Sequence, residues 1–489
     1  MQTVSCPGCG APVTFKSHAS VMAVCEFCQA AVIKDAAAVG DLGKMSSVLE
    51  DYSPIQINTA GVFEGRPFTV VGRIQLRYAH GMWNEWFLLF NDAGNGWLGD
   101  ASGQYMVTTE SDVDGSVVPF GQIAPAQHYT FSGLRYTVAD HRVADCIGGQ
   151  GELPFRVGQG WQSRTVDLRA GGAFLTLDYS DAELPTAYRG KAVKLEQLQC
   201  QLLRDDEQIK ASAGRYRGRL DVLDCPSCGG AIKYLPGLAT QLVCPACQAR
   251  LDASGPEATV LAAGERVEGE RTTLALGAVG KIGGSDYTIM GVMRRLDDED
   301  SAWTEYLLHN PAAGFKWLVE TDEGWSFAEV LDTWPEWNAT GGERATLDQA
   351  SYTKLYDYEA RVEFVAGAFN WRVAAGDAVQ VYEFERGSTS LAAELSDTEL
   401  TWTRSTKVAF DQLAAWFGNG TPGAPAQPAK PASAASTSIK FFVWLLLLNA
   451  IPLMFNFGRT AIYLLLGGLA IWLPYELGRI KKKDGANDG

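Results

Sequence analysis

Eight cysteines fall into two runs of the same form, CPGCGAPVTFKSHASVMAVCEFC from Cys6 to Cys28 and CPSCGGAIKYLPGLATQLVCPAC from Cys225 to Cys247. In each, two CxxC pairs stand 15 residues apart: Cys6, Cys9, Cys25 and Cys28 in the first, Cys225, Cys228, Cys244 and Cys247 in the second. Four thiolates on two short knuckles suit a tetrahedral zinc ion, and this spacing lies in the window such sites use. A closed set of four thiolates leaves no open position, so two structural Zn2+ sites are expected, not catalytic ones. About 30 residues bury too little apolar surface to fold unaided, and bound zinc supplies on the order of 10–16 kcal/mol. Two disulfides or four idle thiols per run are the alternative.

The other residues with chemical potential are carboxylates. Glu85 and Asp100 match Glu305 and Glu320 in a later stretch of similar sequence. On a strand, Trp83 and Glu85 share a face, which sets an indole beside an acid. Paired carboxylates near aromatics can cut glycosides or bind a polyamine. The simpler reading makes Trp83 and Trp303 core anchors and the acids hydrogen-bonded or solvated. GDLGKM at Gly40 and GAVGKI at Gly277 lack the gap and the Ser/Thr of a phosphate loop, and GGQGEL at Gly148 is not a dinucleotide fingerprint. The five histidines, His18, His80, His128, His141 and His309, keep no duplicated position.

At 489 residues the chain exceeds one ordinary domain. A net charge of −16 argues against nucleic acid as a partner, since phosphate binding needs a basic face. Around both cysteine runs the charges cancel. Cys146 and Cys200 lack CxxC partners and read as free thiols, which with metal thiolates points to a reducing compartment. MQTVSCPGCG has no secretory pattern, so no leader is expected there.

The segments after the cysteine runs also repeat. Gly61, Gly65, Phe68 and Gly72 fall on Gly280, Gly284, Tyr287 and Gly291 at a shift of 219. WNEWFLLFNDAGNGWL falls on WTEYLLHNPAAGFKWL at 220, and LDYSDAEL at Leu177 falls on AELSDTEL at Ala393 at 216. A ribbon plus a larger domain is therefore duplicated in tandem. Alternating apolar and polar runs such as TVVGRIQL and YTIMGVM, split by Gly, Asp and Asn, predict strands. The repeated glycines read as tight turns with positive φ. Helix is predicted over Lys191–Leu220, with Leu195, Leu198 and Leu202 on one face, and over KVAFDQLAAWF at the end of the second copy.

The cysteine runs resemble the rubredoxin-like zinc ribbons of many bacterial proteins. The glycine pattern Gly-x-x-[Tyr/Phe]-x-x-x-Gly, then Trp-x-Glu-[Trp/Tyr], then a Trp-Leu pair some 12 residues on, resembles the bacterial domain-of-unknown-function family 4178, over about 40–200 and 265–417. The second copy departs most in its acidic loop LDDEDSAW. That family has no assigned reaction. Its usual company implies a membrane or envelope-stress setting.

After Phe417 a Pro/Ala/Ser linker over 418–438 leads to two apolar runs, Phe441–Phe457 and Thr460–Leu477, parted by Gly458 and Arg459. At 17 and 18 residues each just spans a hydrocarbon layer, so a transmembrane hairpin is expected over 439–478. Lys440 before it and Arg479, Lys481, Lys482 and Lys483 after it place both ends inside. The fold expected is mainly β: zinc ribbon 1–35, β-rich barrel or curved sheet 40–205 with a terminal helix, helical connector 206–221, ribbon 222–253, second β domain 265–417, linker, hairpin, and a basic cytoplasmic tail 479–489. The function expected is a non-catalytic adaptor at the inner face of a bacterial membrane, its soluble domains and termini cytoplasmic, with a protein partner there. A hydrolase or a polyamine or sugar binder using the paired carboxylates is the alternative.

Overall fold

The structure is a computed structural model. It describes 2–44 and 53–205 except positions 18, 29, 34–39, 80, 102, 113–117 and 157–160; 221–262 except 235–240 and 253–258; and 272–418 except 311, 312 and 340.

Each copy is built on eight antiparallel strands whose pairings run round a closed ring. In copy 1 these are β1 (Arg66–Arg77), β2 (Met82–Phe90), β3 (Asn95–Ala101), β4 (Gln104–Ser111), β5 (Leu134–Leu153), β6 (Gln162–Ala170), β7 (Ala173–Asp178) and β8 (Thr186–Val193). The order round the ring is β1-β2-β3-β4-β8-β7-β6-β5, and β5 returns to β1. Copy 2 repeats it with β9 (Ser285–Leu296), β10 (Ala302–Asn310), β11 (Gly314–Thr321), β12 (Gly324–Val330), β13 (Ala350–Phe369), β14 (Ala378–Arg386), β15 (Thr389–Leu395) and β16 (Leu400–Val408). Closure depends on the 20-residue strands β5 and β13. The first half of β5 pairs with β6 and the second half with β1.

Where β1 meets β5, glycine faces glycine. Gly72 pairs with Gly151 and, in copy 2, Gly291 with Gly367. A Cβ on Gly72 would lie 1.7 Å from the Glu152 carbonyl oxygen, and one on Gly151 2.3 Å from that of Val71. Of the repeated glycines, Gly65 (φ 77°) and Gly284 (φ 88°) do sit in tight turns. Gly61, Gly72, Gly280 and Gly291 instead lie in strands, where the absence of a side chain admits a close neighbour rather than a left-handed backbone.

The ribbons are not separate beads. The strand Met22–Val24 adds to the end of β5, with Ala23 opposite Glu152 and Met22 opposite Leu153. Gln241–Val243 adds to β13 in the same way. The Glu152 carboxylate, 4 % exposed, accepts the Lys16 and Ser17 backbone N–H groups at 2.6 and 2.9 Å and the Ser20 hydroxyl at 2.7 Å. A buried acid with three donors fixes the ribbon loop on the ring. Met22, Val24 and Ala31 share an apolar cluster with Ile74, Leu76, Phe87 and Trp97.

Two expectations need correction. The helix predicted from Lys191 is strand β8 to Val193 and a short 3-10 turn, Leu195–Leu198; Leu198 is buried but Leu202 is 66 % exposed. Its leucine spacing reflected one buried contact under the ring, not a helical face. The connector 206–220 lies outside the described residues. Copy 2 does end in a helix, α1 (Phe410–Phe417), which buries Leu413 and Phe417. The transmembrane hairpin is not borne out among the described residues: no helix there is long and apolar enough to cross a membrane, and 439–478 lie outside them. The architecture is two ribbon-bearing β rings, each with a terminal helical segment.

Candidate metal centres and ring interiors

Each knuckle is a tight turn that points two sulfurs the same way. Gly10 N–H donates to the Cys6 carbonyl at 2.8 Å, Gly229 N–H to Cys225 at 2.7 Å, and Gln248 N–H to Cys244 at 2.8 Å. Gly10 (φ 78°), Gly229 (φ 73°) and Gln248 (φ 58°) take the left-handed conformation that closes the turn. The four sulfurs of each cluster lie within 4.8 Å of one another. Across the knuckles Cys6 and Cys28 lie 3.5 Å apart, Cys9 and Cys25 3.7 Å, Cys225 and Cys247 3.8 Å, and Cys228 and Cys244 3.7 Å. A disulfide needs about 2.05 Å. Sulfurs about 2.3 Å from a central ion at tetrahedral angles lie about 3.8 Å apart. The spacing therefore fits a metal ion, and all eight thiols are free of disulfides. In the second cluster the Gly230 N–H lowers the Cys228 thiol, while burial pushes Cys244 up to about 12. Four thiolates this close need a cation among them. Cys146 and Cys200 stand apart, half-buried, and burial pushes each up to about 11.

The carboxylate pairs of the sequence are not brought together. Asp100 lies opposite Asn84, and Glu85 opposite Gly99. Residues paired across a ladder share a face and successive residues alternate, so Glu85 and Asp100 point to opposite sides of the sheet. Glu320 lies opposite Thr304 and Glu305 opposite Val319, with the same result. Glu320 accepts from the Tyr306 hydroxyl at 2.7 Å and from the Thr273 hydroxyl. The expected Trp–Glu neighbours do hold: the Trp83 indole N–H donates to Glu85 at 2.8 Å and that of Trp303 to Glu305 at 2.7 Å.

The acids that accompany Glu85 come from across the ring. Burial pushes Glu85 up to about 8, the Trp83 N–H opposes this, and Asp167, Asp178 and, from the other face of the sheet, Asp100 add repulsion. Burial raises Asp167 and Asp178 as well. Their counterparts at a shift of 216 are Glu383 and Glu394. Each interior therefore carries three carboxylates at equivalent positions. The compensating cation differs. In copy 1, Arg142 on β5 pairs with Asp140 and lies 3.9 Å over the Tyr78 ring. In copy 2 position 358 is Tyr, whose hydroxyl donates to Glu383 at 2.7 Å. There the cation is Arg295 on β9, 8 % exposed, bonding Glu394 at 3.0 and 3.1 Å and Glu305 at 3.2 Å. The alignment of LDYSDAEL on AELSDTEL already set Asp178 on Glu394; nothing in a linear pattern showed that β7 faces β2 across the ring.

No curated protein and no solved structure matches the chain. The model of the family described as Domain of unknown function (DUF4178) matches residues 56–195 and 275–410, the span of the two rings. By that match, over more than half of its length, the chain belongs to the DUF4178 family, which it carries in two copies.

Proposed function

We propose that this chain is a zinc-holding, non-catalytic adaptor whose two ribbon-bearing rings form a rigid binding platform for a partner protein at the inner face of a membrane. The observation that carries the non-catalytic part is the facing of the candidate acids. Acid–base or nucleophilic work on a glycoside needs two carboxyl groups about 5–9 Å apart across one substrate. Glu85 and Asp100, and Glu305 and Glu320, face opposite sides of their sheets. Zinc is the ion because four thiolates in a tetrahedron of this size suit it, and the docking of each ribbon strand on its ring makes the metal a support for the ring edge. The membrane setting rests on the hydropathy and flanking charge of the sequence beyond 438.

The test is a paired measurement on the full chain: elemental analysis of the purified protein, and affinity capture from crosslinked cells with mass spectrometry of what is retained. Two zinc ions per chain and a recurrent membrane-associated protein partner support the reading. A metal-free protein, or turnover of a glycoside or polyamine that is lost in Glu85→Gln and Glu305→Gln variants, overturns it.

A further inference from the structure

The two copies touch through a contact of which each copy holds an unused half. In copy 1 the edge of β5 between Ala139 and Ala144 has neither the strand His128–Phe131, which pairs with 134–137, nor β1, which pairs with 145–151. Copy 2 fills it. Its turn Ser396–Glu399 lays the Thr398 carbonyl 2.9 Å from the His141 N–H, Glu399 bridges to Asp140, and the Glu399 carboxylate meets Arg142 at 3.2 Å. Ala139, the extra residue of a bulge in β5, shares an apolar cluster with Leu400 just past the turn.

The same two surfaces recur at a shift of 216, uncovered by any described residue. The copy 2 equivalent of Ala139 is Leu355, at the same bulge of β13 and 46 % exposed. No strand among the described residues pairs with 355–360 on the edge away from β14. The equivalent of the SDTEL turn of copy 2 is SDAEL, Ser180–Leu184, and Leu184 is 75 % exposed where Leu400 is 1 % exposed. A bare strand edge flanked by apolar side chains is a template for another chain.

We infer that a second copy of this chain occupies the β13 edge, inserting its Ser180–Leu184 turn as Ser396–Leu400 inserts within one molecule. Leu184 then packs on Leu355, and the Ala182 carbonyl takes the Asp357 N–H. The contact is head to tail, so it builds a closed ring or an open filament. It is weaker than its internal template. Position 358 is Tyr where copy 1 has Arg142, so Glu183 finds no guanidinium, and linkage within one chain raises the effective concentration of the internal pair.

Light scattering on the purified full chain across the micromolar range tests this. The expected mass rises with concentration above the 52.9 kDa of one chain. Leu184→Asp and Leu355→Asp each hold it at one chain, with unchanged circular dichroism and melting because both sites are exposed. The decisive measurement mixes them. Each variant retains one intact half, so the mixture forms a dimer that grows no further. A wild type that stays monomeric, variants that associate like the wild type, or a mixture that forms no dimer overturns the inference.

Discussion

Replacing Glu85 by Gln isolates the energetic consequence of a buried acid in the ring. The Glu85 carboxyl lies among Asp167, Asp178 and the Trp83 indole, and burial pushes it from an ordinary 4.5 up to about 8. A folded-state value above the unfolded one means that the protonated form belongs to the fold. The stability it contributes is complete below 4.5 and is lost as the pH rises to about 8. At about 1.4 kcal/mol per tenfold, the ceiling on that loss is about 5 kcal/mol. Glu85 keeps some solvent contact, which screens the charge and brings the expectation to about 2–3 kcal/mol. Glutamine does not ionise, so near pH 4.5 the variant should match the wild type and by pH 8.5 exceed it by that amount. Denaturant unfolding of both proteins in zinc-containing buffer, followed by tryptophan fluorescence at several pH values, reads the difference. Metal release on acidification acts on both proteins alike and cancels. Parallel pH profiles would refute the placement of Glu85 as a buried acid among other acids.

Cys244→Ser should leave one metal per chain by elemental analysis. It should also lower the melting temperature of the second ring, whose β13 edge carries the ribbon strand Gln241–Val243. Gly72→Ala drives a Cβ into a backbone carbonyl 1.7 Å away and should destabilise by about 3 kcal/mol or more in equilibrium unfolding. Gly291→Ala meets the ring of Phe369 at 2.6 Å and the Ala368 carbonyl only at 3.0 Å, and should be milder, about 1–3 kcal/mol, because the nearest atoms belong to a side chain. Glu399→Ala removes an ion pair whose acid is 46 % exposed and should change stability by less than about 1 kcal/mol in low salt.

Local signals in the sequence were sound wherever the structure is itself local. The two CxxC pairs per ribbon set a sulfur tetrahedron, the Trp-x-Glu spacing set an indole against its acid, and the last eight residues of KVAFDQLAAWF form α1, its Lys407 and Val408 ending β16. The repeat at shifts of 216 to 220 correctly implied two equivalent domains. The failures came from long-range pairing. Asp100 looked like a partner of Glu85 because the hairpin brings them near in the chain, yet strand alternation turns them apart. Asp167 lies 82 positions beyond Glu85 in the sequence and reaches it only because β5 closes the ring. Lys191–Leu220 reads as helix by periodicity, but its first residues complete a ladder with β4 and β7, and ladder closure outweighs helix propensity.

The interiors also show what duplication has held constant. Three acids and a tryptophan keep their positions: Glu85, Asp167, Asp178 and Trp83 in copy 1, Glu305, Glu383, Glu394 and Trp303 in copy 2. The guanidinium does not. It enters from β5 as Arg142 in one ring and from β9 as Arg295 in the other. Arg295 makes three bonds to two of the retained acids, whereas Arg142 pairs with Asp140 and with Glu399 of the other copy. A catalytic centre requires its charges within a fraction of an ångström of fixed positions, and moving the cation between strands would forfeit that. Charge compensation of a buried acid group sets a looser requirement, met by any cation that reaches the group. The relocation is what charge compensation permits. In copy 1 the buried guanidinium also reaches Glu399 of copy 2 at 3.2 Å, so the same cation ties the two copies together.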